Sequence, residues 1–187
     1  LVSSKNYDKA VEVAANTAND MKVGDPFDAD TKMGTISNKN QYEKVQRMIQ
    51  IGIDEGATLY AGGVGLPDGC KSGYYVKPTI FSDVTNDMTI AREEIFGPVL
   101  CLIKYETEEE AIEIANDTPY GLAGYVQGEQ AHAVEVASKI RAGQVTINKG
   151  ARVRSAPFGG SGSSGNGRAH GPHGLEACLE PQCVMGS

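Results

Sequence analysis

Between Tyr7 and Lys22 the residues Tyr7, Ala10, Val11, Ala14, Ala18 and Met21 recur at helical spacing, with lysine, glutamate and asparagine between them, which predicts an amphipathic helix. Gly24-Asp25-Pro26 breaks it. Beyond Gly34 a second stripe of Tyr42, Val45, Met48, Ile49 and Ile53 predicts another helix, stopped at Gly56. A short strand is expected over 58–61, followed by a glycine-rich surface loop over 62–73. Residues 74–81 have strand composition, but Pro78 cannot donate to a ladder, which demotes this run to an edge or interrupted strand.

The later pattern is more regular. Val99-Leu100-Cys101-Leu102-Ile103 is a nearly unbroken apolar run, expected to form a strand over 99–105 that is covered on both faces of a parallel sheet. Thr107-Glu108-Glu109-Glu110 has capping-box form and opens a helix bearing Ala111, Ile112 and Ala115. A strand over 122–127 follows. The next helix is expected to turn Ala131, Val134, Ala137 and Ile140 inward and to end at Gly143 as a left-handed cap; a strand over 144–148 comes next. Strands alternating with helices imply parallel pairing through right-handed crossovers, so the fold class is α/β with a layered parallel sheet. Residues 156–174 are dominated by glycine and serine, a loop too long for a simple turn, and a short helix over 175–179 precedes a terminal strand over 182–185.

The stretch Arg92-Glu93-Glu94-Ile95-Phe96-Gly97-Pro98-Val99 joins charge, an aromatic ring and a turn within eight residues. Pro98 ends any helix carrying Glu93 and Glu94, so the strand begins after it. Glu94 and Phe96 are expected at that strand's N-terminal edge, with side chains pointing the same way. An ionised carboxylate only accepts hydrogen bonds and can take both hydroxyls of a ribose, while a neighbouring ring steadies a flat group. The plain alternative is a solvated glutamate near a core phenylalanine.

Composition narrows the partners. Seventeen basic against 24 acidic residues give a net charge of −7, which argues against a nucleic-acid or anionic-membrane partner. No apolar run reaches membrane-span length. Cys70, Cys101, Cys178 and Cys183 form no C-x-x-C pair and lie near no histidine at a zinc spacing, so no metal site is expected, and a reduced, cytoplasmic setting is. Cys101 reads as a small core residue. Neither it nor Cys70 has a visible source for the lowered thiol pKa of a nucleophile. Gly160 to Gly165 satisfies G-x-G-x-x-G, but no strand leads into it and Gly167, Gly171 and Pro172 oppose a following helix, so it is rejected as a dinucleotide loop. The opening Leu1-Val2-Ser3-Ser4 is no signal peptide and reads as the start of a fragment.

Glu93-Glu94-Ile95-Phe96-Gly97-Pro98-Val99 resembles the E-E-x-F-G-P-V signature of the NAD(P)-dependent aldehyde dehydrogenase family. Further blocks similar to that family follow in order: Asn116-Asp117-Thr118-Pro119-Tyr120-Gly121-Leu122, Arg141 to Asn148, Pro157-Phe158-Gly159-Gly160, and Ser164-Gly165-Asn166-Gly167-Arg168. Upstream, Val23-Gly24-Asp25-Pro26 and Gly34-Thr35 extend the similarity to almost the whole chain.

The resemblance implies a catalytic domain of the aldehyde dehydrogenase type, truncated at its N-terminus, over 1–179, with a terminal oligomerisation strand over 180–187. In that family a cysteine thiolate attacks the aldehyde, hydride passes to NAD or NADP, and water releases the acid from a thioester. By motif, Glu94 is expected to bind the nicotinamide ribose, Phe96 to lie at the nicotinamide end, and Gln41 and Lys44 to reach the adenosine ribose. An exposed helix face is the alternative for those two. Phe158 is expected to line the aldehyde pocket, with core packing as its alternative, and Asn148 to fix the loop leading there.

The family's nucleophile matches none of the four cysteines, so no catalytic residue is assigned and the chain alone is expected to be inactive. The implied partners are a small aldehyde and further copies of the parent enzyme. Ala169 departs from the family's usual glutamate, and Ser161-Gly162 replace an aromatic-lysine pair. Arg152 and Arg154 would suit an acidic semialdehyde, or belong to a solvated loop. A CoA-acylating or reductive relative, or a non-catalytic α/β interaction domain, are the rival functions.

Overall fold

The computed structural model describes residues 1–151 and 153–186. The chain divides into two compact units, Leu1–Ala111 and the residues from Ile112 onward, so the span expected as one domain over 1–179 contains both.

In the first unit, strand β1 (Val2–Ser3) leads to helix α1 (Tyr7–Asn19), which buries Tyr7, Val11, Ala15 and Ala18. The stripe is as the spacing predicts, except that Ala15 takes the place at its centre. The Tyr7 hydroxyl donates to the Leu102 carbonyl at 2.9 Å and accepts from the Asp83 amide at 2.7 Å, joining α1 to two later segments. Helix α2 (Lys39–Asp54) is capped by Asn38, whose side chain accepts from the Gln41 amide at 2.9 Å, satisfying one of the helix's free donors. It buries Val45, Met48 and Ile49, and Gly56 ends it in the left-handed region at φ 92°.

Strands β2 (Thr58–Ala61), β3 (Thr79–Ser82) and β4 (Val99–Cys101) form one sheet in that order, β2 antiparallel and β4 parallel to β3. Of the two alternatives expected around Pro78, the edge strand is corrected, while the run 74–81 is interrupted there. Proline withholds its donor just before the ladder starts, so β3 begins at Thr79, lies centrally, and is buried at every residue. Phe81, fully buried, is the largest side chain of a core built with Val45, Ile49, Val76 and Ile90.

The single strand expected over 99–105 is also corrected. Beyond β4 the chain breaks at Leu102-Ile103, and β5 (Lys104–Tyr105) pairs in parallel with β1 in a separate sheet. Within this chain β4 forms the sheet's other edge, and Leu100 is half exposed where cover on both faces was expected. The four-residue helix α3 (Thr89–Arg92) precedes it. Helix α4 (Glu108–Asn116) starts on the expected capping pattern: Thr107 Oγ1 accepts from the Glu110 amide at 3.2 Å, while the Glu110 carboxylate reaches back to the amide of Glu106 at 2.8 Å.

In the second unit, β6 (Ala123–Val126) and β7 (Gln144–Ile147) pair in parallel across helix α5 (Gln130–Ser138), the expected βαβ crossover. The inward face of α5 centres on buried Ala133, while Ala131 and Val134 are exposed. Glu129 caps α5 by accepting from the Ala131 and His132 amides, and those bonds hold its carboxyl below the usual range. Gly143 is not the left-handed cap expected of it. Helix α5 ends at Ser138, and Gly143 lies where a Cβ would fall 1.6 Å from the Gly159 carbonyl oxygen. It is required for close backbone approach rather than for φ.

Helix α6 (Gly171–Glu176) begins earlier than the short helix expected over 175–179, since Pro172 occupies the first turn, where its missing donor is harmless. Residues 182–185 form no strand among the described residues, and Val184 and Met185 are almost fully exposed. No helix is long and apolar enough to cross a membrane among the described residues.

Candidate functional site

In the first unit, the segment after α3 leaves helical backbone at Glu93 and passes through Phe96, which is left-handed at φ 54°. For an aromatic residue that conformation costs roughly 1–3 kcal/mol and persists only where its surroundings impose it. Pro98 sits at the centre of a tight turn in which the Val99 amide donates to the Gly97 carbonyl at 2.8 Å, and the Pro98 carbonyl then accepts from Thr79 at 2.8 Å. Strand geometry therefore starts only at Val99. The expected strand-edge alternation of Glu94 and Phe96 is corrected: a left-handed turn sets both.

Ile95 is the anchor of this turn, 8% exposed in the core, while Glu94 is exposed and Phe96 is 69% exposed. Among the described residues no hydrogen bond or ion pair engages the Glu94 carboxylate. An acceptor-only group and an aromatic face thus stand on one outward turn over a buried isoleucine.

Helix α2 grips that turn from below. Gln41 Nε2 donates to the carbonyls of Ile95 at 3.0 Å and Phe96 at 2.8 Å. Lys44 Nζ donates to the Glu94 carbonyl at 2.5 Å and lies 5.7 Å from the centre of the Phe96 ring, within cation–π range. Both amide protons of Gln41 are thereby occupied. The structure gives these side chains a task that neither the adenosine-ribose reading nor the bare helix-face reading contained. The available signal was their i, i+3 spacing, which puts both on one helix face.

In the second unit, Asn148 leaves β7 in the left-handed region at φ 53°. Its Oδ1 accepts from the Gly128 amide at 3.0 Å and its Nδ2 donates to Gln130 Oε1 at 3.2 Å, so it ties the exit of β7 to the turn that opens α5. Phe158 is half buried, bridges antiparallel to Ala169, and has its ring 5.6 Å from that of His170. With Tyr125, Val145, Ile147, Val153 and Pro157 it lines a cavity of about 840 Å³. Both a pocket wall and a packing contact are therefore visible at Phe158.

Arg168 was unassigned from sequence. Its Nη1 donates to the Gly160 carbonyl at 2.6 Å and to Gly167 at 2.9 Å, drawing the glycine-serine loop together. Ala169 contributes backbone bonds to Phe158 at 2.7 and 2.8 Å, neither of which involves its side chain. Arg154 is exposed, and Arg152 lies outside the described residues.

The cysteines differ in their surroundings: Cys101 is partly buried, while Cys178 and Cys183 are exposed. Burial raises the Cys101 thiol to about 11, the wrong direction for a thiolate at neutral pH. At pH 8, iodoacetamide is expected to label exposed Cys178 and Cys183 well before Cys101, as read by peptide mass mapping. Equal labelling rates would contradict that environment. No group of histidine, cysteine and carboxylate side chains suited to a metal occurs among the described residues.

The model of the aldehyde dehydrogenase family matches residues 1–184. A 3-succinoylsemialdehyde-pyridine dehydrogenase from a Pseudomonas species is 50% identical over all 187 residues, which span 39% of that protein. Among solved structures, a variant of aldehyde dehydrogenase C from Pseudomonas syringae, complexed with NAD+ and octanal, superposes with a TM-score of 0.93 at 51% identity, over 96% of this chain and 37% of that one. A Mycobacterium tuberculosis aldehyde dehydrogenase complexed with NAD+ gives 0.90 at 44% identity, over 94% of this chain and 36% of its own. The chain therefore spans well under half the length of these relatives. With a family match over nearly every residue, and the signature turn and βαβ unit in place, the chain belongs to the aldehyde dehydrogenase family.

Proposed function

We propose that this chain is part of the catalytic domain of an enzyme that oxidises an aldehyde to a carboxylic acid with NAD or NADP, and that its Glu94 holds the nicotinamide ribose. The observation that carries the reading is the unengaged Glu94 carboxylate beside exposed Phe96 on a turn clamped from below. The residues fit the group: ribose hydroxyls are donors, the carboxylate is an acceptor, and the ring offers a face for a planar heterocycle. Relatives solved as complexes with NAD+ support a nicotinamide cofactor of this kind. When bound, the nicotinamide supplies a hydride acceptor.

The part played by Glu94 is orientation. A carboxylate accepting hydrogen bonds from two hydroxyls would hold the sugar, and hence the ring, fixed relative to the turn. Phe96 limits tilt. In the second unit, the cavity lined by Phe158 receives the aldehyde's carbon chain, and Asn148 holds the loop base that shapes it. The attacking cysteine thiolate, and the thiohemiacetal and thioester that follow from it, belong to sequence outside this chain, so the 187 residues alone are expected to form no NADH from an aldehyde. Residues 182–185, exposed and without a strand partner among the described residues, are read as a strand completed by another subunit of the parent enzyme.

Glu94→Gln in the parent enzyme keeps the size and one acceptor but loses charge and the second acceptor. Single-turnover hydride transfer, followed at the NADH absorbance, is expected to slow by about 10- to 100-fold, with a smaller change in nucleotide affinity. An unchanged single-turnover rate would overturn the ribose role.

A further inference from the structure

We infer that Gln41 and Lys44 are positioning residues, which impose the left-handed turn on Phe96 and so set the height and direction of Glu94. The inference rests on the reading of Glu94 given above. Three successive carbonyls, those of Glu94, Ile95 and Phe96, all accept from side chains on one face of α2. Three successive carbonyls turned toward one helix leave little freedom in the backbone between them.

The same face supplies a steric floor. Gly97 rests on Val45, so closely that a Cβ would lie 2.5 Å from the valine Cγ2. Positions 41, 44 and 45 are spaced i, i+3, i+4, so one rigid helical stripe contacts the turn at residues 94, 95, 96 and 97. Val45 is completely buried, which fixes the stripe to the core. Asn38 caps the helix on the Gln41 amide itself, so the residue making two of the three bonds stands on the most constrained part of the first turn.

The consequence is that the donors on α2 face the turn's backbone, while its two outward side chains remain unengaged by hydrogen bonds to that helix. Lys44 adds a further constraint, since the cation that binds the Glu94 carbonyl also lies over the Phe96 ring. Removing either donor frees a carbonyl and lets residue 96 relax from φ 54° toward ordinary extended backbone. Glu94 then loses its fixed direction without losing its charge.

This mode of action separates from direct sugar contact in two measurements. On the 187-residue chain without nucleotide, Gln41→Ala and Lys44→Met are expected to raise hydrogen exchange by about tenfold or more at the amides of Glu93 and Val99, which donate to the Thr89 and Gly97 carbonyls on either side of the turn, with exchange in β3 beyond Thr79 unchanged. Lys44→Arg, which keeps a donor and a cation, is expected to restore protection. In the parent enzyme the same two substitutions are expected to lower kcat by about tenfold while KM for the nucleotide stays within about twofold.

Unchanged exchange at the Glu93 and Val99 amides would overturn the positioning role. So would a raised KM with unchanged kcat, which is the mark of a direct ribose contact. Exchange speeded everywhere, β3 included, would also overturn it, since the two residues would then be general stabilisers of α2. The exchange experiment contains no nucleotide, so it can fail or succeed independently of the ribose role, which Glu94→Gln judges alone.

Discussion

Gly143→Ala is expected to destabilise the second unit by more than about 3 kcal/mol, read as a shift of the urea midpoint of the chain. Nothing at this position demands an unusual φ; the demand is for space. A methyl group would fall 1.6 Å from the Gly159 carbonyl oxygen and 2.7 Å from its carbon. Both are backbone atoms, so no side chain can rotate aside. The Gly143 amide donates to the Gly121 carbonyl at 2.9 Å, and the Ser161 amide donates to that same carbonyl at 3.1 Å. Displacing residues 159–161 therefore pulls on the loop that enters β6. Gly128→Ala is the control, since a Cβ there meets no atom within 4 Å and the Asn148 bond uses only the backbone amide. It is expected to cost less than about 0.5 kcal/mol. A Gly143→Ala chain as stable as this control would show that the glycine-serine loop does not rest on residue 143.

Phe81→Ala is expected to cost about 3–5 kcal/mol in the same measurement. The ring is fully buried, on the central strand of the three-stranded sheet. Its edge lies 3.1 Å from where a Cβ on Gly52 would stand, so strand and helix touch without a spacer, and the vacated volume cannot be filled from the glycine side. The Phe81 carbonyl also accepts from Leu102 at 2.9 Å, which places the residue at the point where β4 gives way to the segment leading to β5. Phe81→Leu should retain a large part of the lost stability, because it removes less apolar volume. A loss below about 1 kcal/mol for Phe81→Ala would mean that the first unit's core is organised elsewhere.

Helices α1, α2 and α4 and the βαβ unit were legible in the sequence because they are written in local signals. The stripes on α1 and α2, the Thr107 capping pattern and the strand-helix-strand alternation after residue 122 each need only neighbours in the chain. What local pattern could not supply was depth. The apolar residues at 99–103 look like a fully covered strand, yet Leu100 is half exposed, because in this chain β4 has a partner on one side only. Val134 is exposed and Ala133 buried for a related reason: a helix of nine residues carries too few apolar positions to distinguish adjacent faces.

Glycines divide the same way. Gly56 ends a helix at positive φ, as local rules suggest, whereas Gly143 answers to a loop sixteen residues further on. At the candidate site, motif resemblance marked Glu94, Phe96, Phe158 and Asn148. The occupation of Gln41 and Lys44 was hidden, because it depends on carbonyls fifty or more residues away. The left-handed backbone at Phe96 and Asn148 was equally hidden, since neither residue is a glycine.

The most direct measurement is a crystal structure of the parent enzyme with NAD bound. Glu94 is expected to present its two carboxylate oxygens to the hydroxyls of the nicotinamide ribose at about 2.7–3.0 Å, with Phe96 still left-handed beneath the nicotinamide end. A Glu94 carboxylate turned to bulk solvent, with the nucleotide lying elsewhere, would contradict the function proposed for this turn.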